Sequence, residues 1–322
     1  MTKHHERILV LGGSGFVGRY LVQRLCTAAR YVVVPTRAPE RAKHLTVMPN
    51  CQVIEADVHD DAALARLVAG CSAAVNLVGI LHDGRGDPYG AGFARAHVEL
   101  PRRLAQACVR EGVHRLLHVS ALGVPDGGAR AASMYLRSKA DGERAVRETA
   151  PLDWTIFRPS VIFGREDRFV NLFASLSRLL PVLAVARADA RFAPVYVGDV
   201  AQAIAAALER RETIGRTLEL AGPQVYTLRE LVKLAGRLVG AERPVIGLPD
   251  ALGRLQATVL EFMPGPTLMS RDNFDSMSVP NVPTDPARPF PTELGIRPAA
   301  LATLAATWLR GGSMMSELRA RR

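Results

Sequence analysis

The chain has 322 residues, 48% of them hydrophobic, enough to bury a substantial core and to carry a small second lobe around a main domain. Forty-one Lys and Arg against thirty-one Asp and Glu leave a formal charge of +10, but the cations are scattered and no aromatic–basic interleaving accompanies them, which argues against a nucleic-acid partner. The most apolar run, "LFASLSRLLPVLAVARA" at 172–188, is interrupted by Arg178, Pro181 and Arg187, so no transmembrane segment is expected.

Along the chain, apolar strands alternate with helices. "ILVLG" at 8–12 reads as a buried strand and "FVGRYLVQRLCTAA" has helical periodicity. "YVVVP" at 31–35 is followed by a weak helix near 39–45, and "QVIEA" at 52–56 by a helix near 60–69. "AAVNLVG" at 73–79, a helix over 92–111, "RLLHVSA" at 115–121, a helix over 136–149 and "WTIFRPSVIFG" at 154–164 continue the alternation. Continuous apolar strands separated by helices imply a parallel sheet covered on both faces. The expected fold is therefore α/β, a Rossmann-type doubly wound sheet.

Beyond residue 165 the alternation loosens. "RFVNLFASLSRLLPVL" is helical up to Pro181, "FAPVYVG" at 192–198 reads as a strand, and "DVAQAIAAALERRE" is a helix with Asp199 as its expected cap. "GRTLELAG" at 215–222 is another strand and Thr227 introduces an amphipathic helix. The segment 248–285 mixes one helical pattern with Pro and Gly punctuation. The expected organisation is a dinucleotide-binding core over 1–165, with 166–322 supplying the rest of that core and a small mixed lobe. Cys26, Cys51, Cys71 and Cys108 form no CxxC pair and read as buried free thiols of a reducing compartment. With no apolar export signal in "MTKHHERILVLGG", a cytoplasmic location is expected.

The main chemical signal is "VLGGSGFVGRYL". Gly12 allows the tight turn, Gly15 lets a pyrophosphate reach backbone atoms, and Gly18 lets the helix pack closely on the strand. The helix amino end, from Ser14 and Gly15 through Phe16, Val17 and Gly18, offers N–H donors to the phosphates. At the end of the second strand, "YVVVPTRAPER" has no early acidic residue for the ribose hydroxyls. Arg37, with Arg41 behind it, offers a fork for a ribose phosphate, so NADP(H) is expected in preference to NAD(H); a solvated loop cation is the alternative. Asp57 reads either as an acceptor for the adenine amino group, with Val58 beside it, or as a helix cap. Asn76, Leu77, Val78 and Gly79 stand where they can line the adenosine or nicotinamide ribose. "DVHDD" at 57–61 lacks a regular ligand pattern, and no metal site is expected.

These motifs, with "HVSALG", "YLRSK" at 135–139, "RPSVIFG" and "RFAPVYVGDVAQAI", resemble the short-chain dehydrogenase/reductase superfamily in its extended or atypical branch. More narrowly, "IFGREDRFVNLFASLSRLLPVL", "ELAGPQVYTLRELVKL" and "LEFMPGPTLMSRDN" are similar to the nucleotide-binding accessory subunit of respiratory complex I and its bacterial relatives. That resemblance implies a Rossmann core, a carboxyl-terminal lobe closing over the site, and a bound NADPH with a structural, assembly or regulatory role. Complex I subunits or an anionic membrane surface, the latter also open to the basic tail "ELRARR", are the implied partners, at the cytoplasmic face of the inner membrane.

The alternative is an NADP(H)-dependent short-chain reductase or dehydrogenase acting on a carbonyl or alcohol. The resemblance then makes Tyr135 the proton donor and Lys139, on the same helical face at i,i+4, the cation that holds the ribose and lowers the tyrosine pKa. Ser120 is the nearest match to the hydroxyl that steadies the carbonyl, although the family's residue sits slightly later, where this chain has Ala121 and Leu122; Ser133 is a substitute. His97 replaces an asparagine that maintains a proton-relay water in related enzymes, and both a relay and plain helix packing are open to it. Val119 and Pro159 are expected beside the nicotinamide, with a solvent or helix-charge role as the bland alternative for Arg158.

Overall fold

The computed structural model describes residues 6–125, 131–264 and 267–310. The chain divides into two units, the first made of Met1–Pro159, Val197–Leu220 and Pro291–Ile296, the second of Ser160–Tyr196, Ala221–Phe290 and the residues from Arg297 on. The amino-terminal run is β1 (Arg7–Leu11), α1 (Phe16–Thr27), β2 (Tyr31–Thr36), β3 (Cys51–Glu55), α2 (Asp61–Val68), β4 (Ala73–Asn76), α3 (Ala91–Phe93), α4 (Leu100–Arg110), β5 (Arg115–Val119), α5 (Met134–Arg147) and β6 (Asp153–Pro159). The second unit then contributes β7 (Ile162–Phe163), α6 (Val170–Leu179), β8 (Leu183–Ala186), β9 (Arg191–Phe192) and β10 (Val195–Tyr196). The chain returns to the first unit with α7 (Val197–Glu209) and β11 (Arg216–Leu220). It closes with β12 (Tyr226–Thr227), α8 (Leu228–Leu238), β13 (Val245–Leu248), α9 (Asp250–Phe262), α10 (Arg271–Ser276) and α11 (Leu301–Leu309).

In the first unit seven parallel strands lie in the order β11-β6-β5-β4-β1-β2-β3. Helices α1 and α7 pack on each other, while α2, α4 and α5 follow one another as neighbours. Alternate strand residues Leu9, Leu11, Val33, Ala74 and Leu116 share one apolar cluster with Leu64, Leu67, Leu104, Cys108 and Val146 of α2, α4 and α5. Residues of the central strands are buried on both faces, which explains their unbroken apolar sequence. Strand order reverses between β1 and β4, so a crevice opens at their carboxyl ends.

Local chemistry departs from the sequence expectation at several points. The helix expected over 92–111 is broken: a π-helical turn, Ala94–Glu99, separates α3 from α4. Pro101 lacks the N–H that would bond to the His97 carbonyl one turn back, which accounts for the break. Asp60, not Asp57, caps α2, accepting from the Ala62 and Ala63 amides. Asp199 lies inside the first turn of α7 instead of capping it. "WTIFRPSVIFG" splits into β6 and β7, which belong to different units. Among the cysteines, Cys71 and Cys108 are buried, whereas Cys26 and Cys51 are half-buried and hydrogen-bonded to each other; all four are free.

In the second unit, Thr227 and Glu230 form a reciprocal capping box at the start of α8. Leu228, Leu231, Val232 and Ala235 of that helix pack with Val170 and Ala174 of α6, Leu301 and Ala305 of α11, and Phe163 and Phe192. Among the described residues no helix is long and apolar enough to cross a membrane.

Candidate functional site

The glycine loop joins β1 to α1 at the reversal point. Gly12 has φ +77°, a left-handed conformation that side chains resist, and a Cβ there would press on Leu77 and Val78 at 3.1–3.2 Å. The loop therefore lies directly against the end of β4. A Cβ on Gly18 would come within 2.3 Å of the Gly12 carbonyl oxygen, so only glycine lets α1 start this close to the strand. Gly15 is exposed, and a side chain there would meet only the Gly12 oxygen, at 3.2 Å. It is the N-cap of α1 with no side-chain cap, which leaves the amides of Phe16, Val17 and Gly18 for an anion, with Ser14 at the rim.

At the neighbouring strand ends, the Asp57 carboxylate accepts from the His59 amide at 3.0 Å and lies 3.5 Å from Arg95. That backbone hydrogen bond first, then the charges of His59, Arg95 and Arg37, hold its carboxyl below the usual range. Val58, half-buried, packs against the apolar cluster under the sheet. Asn76 is buried and committed to shaping the turn: its Oδ1 accepts from the Val78 amide at 3.1 Å and its Nδ2 lies 3.2 Å from His118 Nδ1. Leu77 and Val78 abut the glycine loop, and Gly79 is exposed, the position of its absent Cβ lying 3.2 Å from Lys139 Nζ.

Ser133 caps α5, accepting from the Leu136 amide, so its hydroxyl serves the helix that carries Tyr135 and Lys139. Tyr135 is half-buried; its ring meets Phe93 and His97 edge-on at 6.1 and 5.5 Å between centroids, and Lys139 Nζ lies 5.9 Å from its centre. Lys139 is 4% exposed and donates to the Val119 carbonyl at 3.2 Å. Burial pulls its pKa down to about 8, with the Glu143 carboxylate opposing the fall. The next residue, Ser120, is 3% exposed, and its Oγ has no hydrogen-bond partner among the described residues. Two residues earlier and on the same strand face, His118 is fully enclosed and its Nε2 is likewise without a partner among the described residues. Desolvation drops its pKa to about 3, so the ring is neutral. Both atoms are buried polar groups at one strand end, where such groups are ordinarily hydrogen-bonded. Pro159 is buried at the end of β6, where its carbonyl accepts from Leu122.

His97 is buried, and desolvation followed by the Lys139 charge lowers its pKa to about 2. Its neutral ring is fully engaged: Nε2 accepts from the Ile80 amide at 3.0 Å, so Nδ1 carries the proton toward Ser138 Oγ at 2.8 Å, and that hydroxyl donates to the Tyr135 carbonyl. His97 thus ties the loop after β4 to the Tyr135 helix. Gly142 completes the contact, since a Cβ there would fall 1.9 Å from the His97 carbonyl oxygen.

Sequence reasoning passed over Glu143, the next turn of the Tyr135–Lys139 face. It is fully buried and accepts two 2.8 Å bonds from Arg158 of β6 and one of 2.7 Å from Arg147. Arg158 is therefore a buried partner, not a solvent cation, and the fork fixes α5 on the sheet. The i,i+4 step from Lys139 to Glu143 was the available signal. His118 and Ser138 gave none, because their roles arise only when β4, β5 and α5 meet.

A parallel sheet reversing at a glycine loop, with a Tyr–Lys helix beside it, defines a dinucleotide-binding Rossmann protein of the short-chain dehydrogenase/reductase type. The sequence pattern of the NAD dependent epimerase/dehydratase family matches residues 8–221, and the chain belongs to that family. It is 31% identical over 298 residues to NADH dehydrogenase (ubiquinone) 1 alpha subcomplex subunit 9, mitochondrial, of Arabidopsis thaliana, covering 87% of this chain and 72% of that one. It is also 30% identical over 248 residues to the ceramide reductase of Caulobacter vibrioides, covering 76% and 74%. Among solved structures, the double mutant of DesIV, a dTDP-glucose 4,6-dehydratase from Streptomyces venezuelae with NAD and DAU bound, shares the fold with TM-score 0.71 at 24% identity over 94% of this chain and 96% of that one. Relatives of this chain thus include both enzymes and a respiratory-complex subunit.

The cofactor expectation is corrected by these comparisons. Four fold neighbours crystallised with a dinucleotide hold NAD, which overturns the preference for NADP(H) drawn from Arg37. At the strand ends Arg37 is one of several charges around Asp57, with less effect on that carboxyl than His59 or Arg95, and a loop cation in such a cluster does not by itself select a ribose phosphate.

Proposed function

We propose that this chain is an NAD(H)-dependent oxidoreductase acting on a carbonyl compound or the corresponding secondary alcohol. The observation that carries the reading is the buried, unpartnered Ser120 hydroxyl one residue from the carbonyl that holds Lys139. Gly12 and Gly18 hold the loop close, Gly15 leaves the α1 amides open to a diphosphate, and the bound dinucleotide supplies the hydride. Ser120 Oγ donates to the substrate oxygen, orienting the carbonyl and stabilising the negative charge that grows on it. Tyr135 delivers the proton to that oxygen, and the Lys139 ammonium eases the loss of the phenol proton and holds the ribose hydroxyls. His97 and Ser138 keep the Tyr135 turn fixed to the loop after β4.

The test is NADH oxidation against a carbonyl panel that includes lipid ketones, chosen because of the likeness to a ceramide reductase. Turnover lost in Tyr135→Phe, with NADH affinity retained, is the expected result; turnover that survives both Tyr135→Phe and Ser120→Ala refutes it. A second reading, an accessory subunit of a respiratory NADH dehydrogenase with a structural, assembly or regulatory role, is supported by the likeness to the Arabidopsis subunit across 87% of the chain. Bound nucleotide without turnover on any carbonyl, together with copurifying subunits of that complex, would select it. On either reading a position at the cytoplasmic face of a membrane is compatible with the chain.

A further inference from the structure

The first unit holds Cys26, Cys51, Cys71 and Cys108, and the fold brings two of them together where solvent can reach them. Cys26 stands in the last turn of α1, and its carbonyl accepts from the Ala29 amide at 3.0 Å just before β2 begins. Cys51 opens β3 directly opposite Val32 of β2. Val33 and Ile54 point into the cluster that contains α2, α4 and α5, so the alternation along the two paired strands turns Val32 and Cys51 to the other face. Val34, on that second face, reaches within 2.8 Å of where a Cβ on Gly13 would stand at the head of α1, and the buried residues of α1 are absent from the cluster beneath. Helix α1 therefore runs along the face that Cys51 looks onto. Its end meets the start of β3, and the Cys51 S–H donates to the Cys26 sulfur.

The other two cysteines are differently placed. Cys108 is wholly buried, and the Cys71 thiol donates to the Leu67 carbonyl at 3.3 Å. Cys26 and Cys51 are only half-buried, so an oxidant has access to this pair and not to the other. A neighbouring S–H that donates steadies a thiolate, which makes Cys26 the nucleophile of the two.

We infer that Cys26 and Cys51 form a reversible oxidation site, closing to an intramolecular disulfide when a hydroperoxide reaches the end of α1. The Cys26 thiolate, its proton passed to water, attacks one peroxide oxygen; the S–O bond forms, the O–O bond breaks, and the leaving hydroxide recovers that proton as water. The Cys51 sulfur then attacks the sulfenic sulfur; the S–S bond forms, the S–O bond breaks, and the hydroxyl leaves with the Cys51 proton as a second water. Two thiols are oxidised and one peroxide is reduced. Burial lifts both thiols above their ordinary range, Cys51 to about 11, so the step is slow at neutral pH and quickens as pH rises. Strand β3 is the last of the sheet, and the link ties this edge to α1 across the whole of β2. The inference is independent of whether the nucleotide site turns over a substrate.

The experiment treats the full reduced chain with hydrogen peroxide at pH 7 and pH 9, then counts thiols in denaturant and maps linked fragments by mass. The expected result is a fragment joining Cys26 to Cys51, with Cys71 and Cys108 still reduced, formed faster at pH 9 and reopened by dithiothreitol. The linked protein should melt about 5 °C or more above the reduced one, because the closed loop restricts the unfolded chain. Cys26→Ser and Cys51→Ser, each with native circular dichroism, should form no link and show no such rise. Four surviving thiols, a link between Cys71 and Cys108 or between two chains, or oxygen adducts that stop on Cys26 would overturn the inference. So would a linked protein no more heat-stable than the reduced one.

Discussion

Replacing Lys139 with methionine should make the protein more stable while removing its chemistry. The ammonium is 4% exposed and its pKa falls from 10.5 to about 8. That fall corresponds to about 3 kcal/mol against the charged form in the folded state. Methionine keeps the unbranched stem and removes the charge. The Val119 carbonyl loses its Nζ donor, a loss of about 1 kcal/mol, so the net gain near neutral pH is about 2 kcal/mol. The sign follows from proton binding: between pH 8 and 10.5 the unfolded chain holds the lysine proton and the folded chain has released it. Wild-type stability therefore rises with pH across that window relative to the variant, and the gap closes as 10.5 is approached. Urea unfolding of the nucleotide-free proteins at pH 7 and pH 9.5 measures this. A higher midpoint for the variant at pH 7 with an unchanged slope, shrinking by more than half at pH 9.5, is expected. A variant less stable than wild type at pH 7, or a gap indifferent to pH, would refute the reasoning.

The same lysine should shape the pH profile. Reductive turnover needs the ammonium, so it should stay level below about pH 8 and fall above it; a profile level up to pH 10 would show that Lys139 holds its proton more tightly than its burial implies. Glu143→Gln leaves Arg158 buried without its countercharge and should destabilise the fold by about 3–5 kcal/mol in urea melts, whereas Arg147→Ala, at a side chain 35% exposed, should cost about 1 kcal/mol or less. Gly18→Ala drives a methyl into the Gly12 and Gly13 carbonyls and should weaken NADH binding about tenfold or more by fluorescence titration, while Gly112→Ala, whose Cβ would meet nothing within 4 Å, should leave binding unaltered despite its positive φ.

The parallel sheet was legible because its strands are apolar on both faces and because three glycines at one strand end have a backbone reason to be there. Gly12 and Gly18 have the turn and the close approach that their spacing implies. Local periodicity could not reveal the interleaving of units, since "WTIFRPSVIFG" is one apolar run that changes partners at Ser160. The π-helical turn was hidden for a related reason: apolar period is nearly the same on either side of it, and the missing Pro101 amide is a property of one atom. Charged residues were misread where their partner comes from another element. Arg158 looked solvated in a strand-end motif and is buried because α5 brings Glu143 to it. The buried Lys139 combines both situations. Its face on α5 follows from the i,i+4 step to Tyr135, but its depressed pKa follows from how deeply β5, the loop at Gly79 and α5 enclose it. That enclosure opposes stability, and its persistence in the fold is what the ammonium's work at the site would explain.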